Sequence, residues 1–425
     1  MTKSTERTDV DAGVVVDFDH HCDEFNLNEL AVNAGLRRRC PVAWNENYGG
    51  FWFITGYDAV AHIARDGDTF AHKYEPDAAD GVDYQGEMGV PRPAGQPALG
   101  IGEVDGPYHQ TLRRALAPVF SPGAVDKMRP FMAQSAQWFL DQRIADGPMD
   151  LVLDYASPVP AILTMKLMGL PYDNWQRYAH LFHSVMAAGQ DSDEYAKAIA
   201  GVPAVMDGLL EFAAARRLEP RDDLTSLLVQ LEFDGRRLDD AQVLNILWNL
   251  IGGGVDTTTS QTALSLLHLG THQDLRRRLR NHPDLYHTAT DEFLRYFSVN
   301  QQLSRTVTRD VILGGQRLRR NDRVVISWLA ANHDEHEFEQ PGEIVLDRAR
   351  NRHLAFGLGP HRCIGSHLAR VMFEVMVKAV LDRIPDYLVD ADGVHEYLGN
   401  PSMTGLGRLP VTFPAAAPRG TPRPW

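Results

Sequence analysis

Cysteine is scarce in this chain: three occur in 425 residues, Cys22, Cys40 and Cys363. So few, and an odd number, argues against a disulfide framework and fits a reducing cytoplasm. Positive charge is also short. Lys and Arg total 42 against 56 Asp and Glu, a formal net charge of -14, which argues against a general binder of nucleic acid or of anionic membranes. Long apolar runs are missing too. The stretch from Val243 to Ile251 is interrupted by Asn245 and Asn249 and falls well short of the roughly 20 residues that a spanning helix needs. From Met1 to about Val14 the chain is polar and charged, unlike a signal peptide or an anchor. A cytoplasmic protein with no membrane anchor is expected.

No solenoid repeat and no Ser- or Gly-rich linker divides the chain. The expectation is one domain over 21–413, after a flexible leader, 1–20, and before a loosely held Pro- and Ala-rich tail, 414–425. Hydrophobic residues make up 44% and charged ones 23%, enough to supply a packed core. Aromatic and β-branched residues beside Gly and Asn predict short strands at Val42–Trp44 and Gly50–Ile54, with others at Val311–Leu313, Val324–Ile326 and Val411–Phe413. Helical spacing dominates between them, as in Leu244, Leu247, Trp248 and Ile251, or Leu209, Leu210, Phe212 and Ala213 before Pro220. The Gly-, Pro- and Asp-rich stretch from Tyr74 to Pro107 reads as a long surface loop with room for one short helix. The fold class is mainly α with small β-sheets.

Chemistry concentrates around one cysteine. In Phe356-Gly357-Leu358-Gly359-Pro360-His361-Arg362-Cys363-Ile364-Gly365 it follows a glycine-rich turn and precedes a helical pattern of Leu368, Val371, Met372, Val375 and Met376. A helix start offers unpaired N–H groups and partial positive charge, which favour the thiolate, the form that binds metals. The glycines permit tight backbone paths and leave room for a flat ligand, with Phe356 shielding one flank. A buried structural cysteine and a zinc site using His361, Cys363 and His367 are the alternatives, the latter lacking a fourth ligand at zinc spacing. The run matches the haem-binding signature of the cytochrome P-450 family, Phe-Gly-x-Gly-x-His-x-Cys-x-Gly, and the chain resembles that family from about Pro41 to Val411.

Upstream residues extend the resemblance. Gly252-Gly253-Gly254-Val255-Asp256-Thr257-Thr258-Thr259 puts three glycines into an apolar helix, each costing about 1 kcal/mol against alanine. The Thr257 hydroxyl is placed to hydrogen-bond the Gly253 carbonyl one turn earlier, loosening the ladder and admitting a water. A flexible helix with a solvated Asp is the plainer reading. The segment resembles the family's oxygen-binding helix, which implies that Thr257 holds a water near the bound oxygen while Asp256 exchanges protons with solvent. Glu292 and Arg295 are one turn apart, and alone would be a surface pair worth a few tenths of a kcal/mol. By resemblance, Arg348 bridges them in a structural trio that fixes the cysteine loop.

The same resemblance implies a triangular helical prism around a buried haem b, with Cys363 ligating the iron. His109 and Arg113, four apart on one helix face, together with Arg305 and His361, would meet the haem propionates; surface charge is the plainer reading of each. The activity implied is insertion of oxygen from dioxygen into a hydrophobic small molecule, a terpenoid, steroid or fatty-acyl compound, by hydroxylation or epoxidation. A peroxide-driven peroxygenase and a non-catalytic haem sensor or carrier are the rivals. The wall is expected from the Tyr74–Gly102 loop, the segment His183–Ile199, the face bearing Asn249, Gly253 and Thr257, and residues after Arg295. Asn249 or Asn300, beside Val299, could orient a polar end of the substrate, unless backbone groups satisfy them. Electrons would come from a separate ferredoxin and its reductase. Arg317, Arg319, Arg320, Arg323, Arg348, Arg350, Arg352 and Arg362 are expected to gather near the cysteine side as its docking charge.

Overall fold

In the computed structural model, which describes residues 14–92, 98–187, 192–397 and 402–425, helix dominates. The longest is Asp240–Thr271, 32 residues, about 48 Å at 1.5 Å per residue. A capping box starts it: Asp239 accepts from the Gln242 N–H at 2.8 Å, and Gln242 Oε1 from the Asp239 N–H at 3.0 Å. Its apolar residues Val243, Leu247, Ile251 and Val255 are fully buried, each such side chain contributing roughly 1.5–3 kcal/mol on burial. Helices Pro158–Met168, Trp175–Ala187, Asp193–Leu218, Tyr286–Phe297 and Ser366–Arg383 pack on it, and Pro122–Asp141 packs on the last. The glycine triplet does not break it, because helix runs unbroken from Asp240 to Thr271.

A six-stranded sheet lies to one side, ordered Val15–Val16, Val42–Asn45, Phe51–Ile54, Arg323–Ser327, Gln302–Val307, Phe70–Ala71. Trp44 pairs with Trp52 across one antiparallel ladder, and Val324–Ile326 runs parallel to Trp52–Ile54. The predicted strands fall within a residue of those observed.

Four expectations need correction. Of the leader, 1–13 lies outside the described residues, while Val15–Val16 adds a parallel strand to the sheet and Phe18 stacks on Phe25 at 5.1 Å. The tail is pinned: Asp141 accepts from the Arg419 and Thr421 N–H groups, and Trp425 packs against Trp138 and Phe139. The Tyr74–Pro107 stretch carries short strands, Tyr74–Glu75 and Tyr84–Gln85, and is tied inward by the buried Glu103, which holds Arg92 and the Glu87 and Leu99 N–H groups. Finally, two segments are long and apolar enough to cross a bilayer by those measures alone. Leu151–Met168 is 78% buried in the core; Asp193–Leu218, only 22% buried, lies along the outside of its neighbours.

Candidate active site

Local backbone chemistry builds the cysteine loop. The Cys363 N–H donates to the Phe356 carbonyl at 2.8 Å and the Gly357 N–H to that of Leu354 at 2.8 Å. Gly357 and Gly359 hold φ of 65° and 72°, the left-handed region that glycine tolerates. A Cβ on Gly359 would collide with the Ala64 carbonyl, so the loop can lie on helix Tyr57–Arg65 only as glycine. Phe356 is flanked by the Arg370 guanidinium, 4.6 Å from its ring centre.

Cys363 opens into a cavity of ≈ 300 Å³. Facing it across this space is the long helix, where Gly253 has nothing within 4 Å of a Cβ position. The other two glycines serve packing: a Cβ on Gly252 would press on Phe182 and one on Gly254 on Thr164. The Thr257 hydroxyl donates to the Gly253 carbonyl at 2.9 Å. Cys363, Phe356, Gly357, Gly253, Thr257, Asn249, Val299, Asn300, His109, Arg113, Arg305 and His361 all line the one cavity, and Asp256 does not. Apolar Ile101, Leu167, Met168, Leu250, Leu294 and Leu303 complete much of the wall.

Cys363 precedes helix Ser366–Arg383 by three residues instead of capping it. Burial pushes its thiol up, against the pull of the Gly365 N–H and of Arg113, Arg362 and Arg370. A cation bound at the sulfur would favour the thiolate. All three cysteines are free. Among the described residues no group of His, Cys, Asp and Glu is set to chelate a metal, and His367 faces a different cleft with Arg129 and Glu374. The zinc reading has no geometric support.

One family model matches, Cytochrome P-450, over residues 172–384, half of the chain. Among similar proteins, the mycinamicin IV hydroxylase/epoxidase of Micromonospora griseorubida is 31% identical over 343 residues, 79% of this chain and 82% of that protein. The methyl-branched lipid omega-hydroxylase of Mycobacterium tuberculosis is 29% identical over 89% of this chain and 90% of its own. A Mycobacterium marinum cytochrome P-450 solved with pseudoionone superposes with a TM-score of 0.83 at 26% identity, covering 91% of this chain and 95% of that one. This chain belongs to the cytochrome P-450 family. It is a monooxygenase whose cofactor is haem b.

The residues fit that group. Arg305 is 2% exposed, its Nε has no hydrogen-bond partner, and its nearest carboxylate is Glu87 at 3.5 Å. Buried cations of this kind require anionic partners, and the propionates of a haem would supply them. His361 lies stacked between His72 and His109, ring centres 3.5 and 3.8 Å away, and pairs with Asp105 at 2.9 Å. Burial, with His361 and Arg113 nearby, pushes His109 down to about 4, and an anionic partner at the rim would oppose that shift. His72 and Glu87, 3.0 Å apart on the same rim, escaped sequence reasoning because no spacing or motif connects them to Cys363.

The structural trio is buried, not a solvated surface pair. Glu292 and Arg295 side chains are 0% exposed. Arg295 makes two hydrogen bonds of 2.9 Å to Glu292, and Arg348 two of 2.8 and 3.1 Å. Arg295 also donates to the Asn332, Pro341 and Glu343 carbonyls. Asp291, next to Glu292, holds Arg370 at 2.6 Å, which links this helix to the one following Cys363.

Three site expectations change. Asn249 Oδ1 accepts the Ile101 and Gly102 N–H groups, both at 3.2 Å, so backbone takes up its oxygen, as the plainer reading held for that half of the amide. No described residue of His183–Ile199 lines the cavity; Thr164, Leu167 and Met168 do. The arginines do not form one free patch: Arg323 is half-buried against Ser304 and Thr306, Arg348 serves Glu292, and Arg317 and Arg352 pair with Asp310 and Glu337. Arg350 and Arg362 remain exposed.

Proposed function

We propose that this monooxygenase uses dioxygen and electrons from a separate ferredoxin, with its reductase, to hydroxylate or epoxidise a hydrophobic small molecule of terpenoid, steroid or fatty-acyl type. The observation that carries the reading is the single cavity where Cys363 opposes Gly253 and Thr257. Haem bound there supplies oxygen activation, which thiolate donation strengthens. Cys363 would hold the haem iron through its thiolate, and His109, Arg113, Arg305 and His361 would hold the propionates. Thr257 keeps a water or proton at Oγ1, and Asp256 is the proton carrier behind it. Ile101, Leu167, Met168, Leu250 and Leu303 exclude bulk water and seat the apolar body of the substrate. Asn300, which lines the cavity, orients a polar end. The relatives named as a mycinamicin IV hydroxylase/epoxidase and a methyl-branched lipid omega-hydroxylase support an extended apolar substrate.

The test is spectroscopic and catalytic. The reduced carbon monoxide adduct of the wild type should show the red-shifted band of sulfur ligation, and Cys363→His should lose it. Product should form with ferredoxin, reductase and dioxygen; product formed only with hydrogen peroxide rejects the reading in favour of a peroxygenase, and none with either favours a sensor or carrier.

A further inference from the structure

Asp256 and Thr257 are neighbours, yet only Thr257 reaches the cavity. Successive helical residues point about 100° apart, and Asp256 is 2% exposed on the adjoining face. Its carboxylate is held there twice. His183, on helix Trp175–Ala187, donates from Nδ1 to Oδ1 at 3.0 Å, and the Tyr397 hydroxyl lies 2.8 Å from Oδ2.

The other nitrogen of His183, Nε2, lies 3.2 Å from the Gly407 carbonyl. Both ring nitrogens thus face acceptors, and a neutral imidazole can donate from only one of them. Against an ionised Asp256, only the imidazolium satisfies both contacts. Burial opposes that charge, but the Asp256 carboxylate and the Gly407 carbonyl outweigh it and raise His183 above its ordinary value. The titratable groups facing the ring among the described residues are Asp256, Tyr397 and, farther off, Glu194. Tyr397 stays a donor, since burial and the Asp256 charge push its hydroxyl upward.

We propose that His183 is a positioning residue that, as imidazolium, parks Asp256 outside the cavity and reloads it with the proton it delivers. The His183 Nδ1–H bond breaks as an Asp256 O–H bond forms, which leaves a neutral pair with no charge attraction between its members. The uncharged carboxyl can then turn toward Thr257 and pass its proton to the water held there, while water at the surface returns a proton to His183. Tyr397 sets the resting position of the carboxylate throughout. The proposal rests on the dioxygen-dependent reading above, with Asp256 as the proton carrier.

The test uses the full-length, haem-loaded protein. In 15N-histidine-labelled wild type, the His183 resonance should titrate above the ordinary histidine value, and Asp256→Asn should bring it below. In turnover, the hydrogen peroxide released per reductant consumed should rise in wild type as pH increases through that titration. His183→Gln should release more peroxide at every pH with the pH dependence gone, and form product about tenfold more slowly, less than the ~10²-fold or more expected on losing the proton carrier. Tyr397→Phe should raise the peroxide fraction yet keep the pH dependence. A His183 that titrates below the ordinary value in wild type, or a His183→Gln protein with the wild-type peroxide profile, overturns the proposal. A wild type that makes no product with dioxygen overturns the monooxygenase reading instead, and the labelled-histidine titration still reports on His183.

Discussion

At the scale of single residues, burial decides what a charge contributes. Glu292 accepts four hydrogen bonds from two arginines, with the Val345 N–H and the Asn351 amide added. Removing its charge strands Arg295 in a fully buried place, so Glu292→Gln should lower stability by about 3–5 kcal/mol, measured as a shift in denaturant midpoint. Burial raises the Glu292 carboxyl, but the hydrogen bonds from Arg295 and Arg348 win and hold it below its ordinary 4.5. A depressed group contributes its stability above the unfolded value and loses it as pH falls through the folded one. The gap between wild type and variant should therefore be constant near neutrality and close below pH 4.5; a gap that widens in acid rejects the assignment.

At the scale of elements, the wall of the cavity opposite the sheet is a latch between a loop and the long helix. Asn249 holds the Ile101 and Gly102 N–H groups, and Gly100 approaches so closely that a Cβ would lie 2.5 Å from the Ile246 nitrogen. With its oxygen committed to that loop, Asn249→Ala should weaken a hydroxylated ligand and its deoxy analogue by the same factor in spectral titrations. Asn300→Ala should weaken the hydroxylated one more, by the worth of one hydrogen bond, about 0.5–1.5 kcal/mol; equal losses would remove Asn300 from substrate recognition. This division also marks what the sequence could reveal. The cysteine loop and the Gly253–Thr257 turn were legible because their determinants are local: glycine φ angles and an i,i+4 hydroxyl contact. Glu103 with Arg92, the tail on Asp141, and Asp256 with His183 and Tyr397 were not, since each joins segments that no periodicity or motif relates.

At the scale of the whole molecule, a chain of net charge -14 would repel the acidic ferredoxin proposed as its electron donor except where local positive charge outweighs that field. Of the eight arginines named as docking charge, Arg317, Arg348 and Arg352 are paired with acids and Arg323 is half-buried against Ser304, which leaves fewer groups to steer a partner. Arg350 and Arg362 are exposed, and Arg362 adjoins Cys363 in the chain. Screening lengthens or shortens the reach of those charges, from about 30 Å at 0.01 M salt to about 8 Å at 0.15 M. Ferredoxin-driven reduction should accordingly slow as salt rises. Reversing both charges, Arg350→Glu with Arg362→Glu, should slow it at low salt by about tenfold, the lower range for electrostatic steering, and the two proteins should converge at high salt. Reduction by dithionite should be the same in both, which separates docking from any change at the haem. An unaltered salt slope in the double variant would place the docking face elsewhere on the protein.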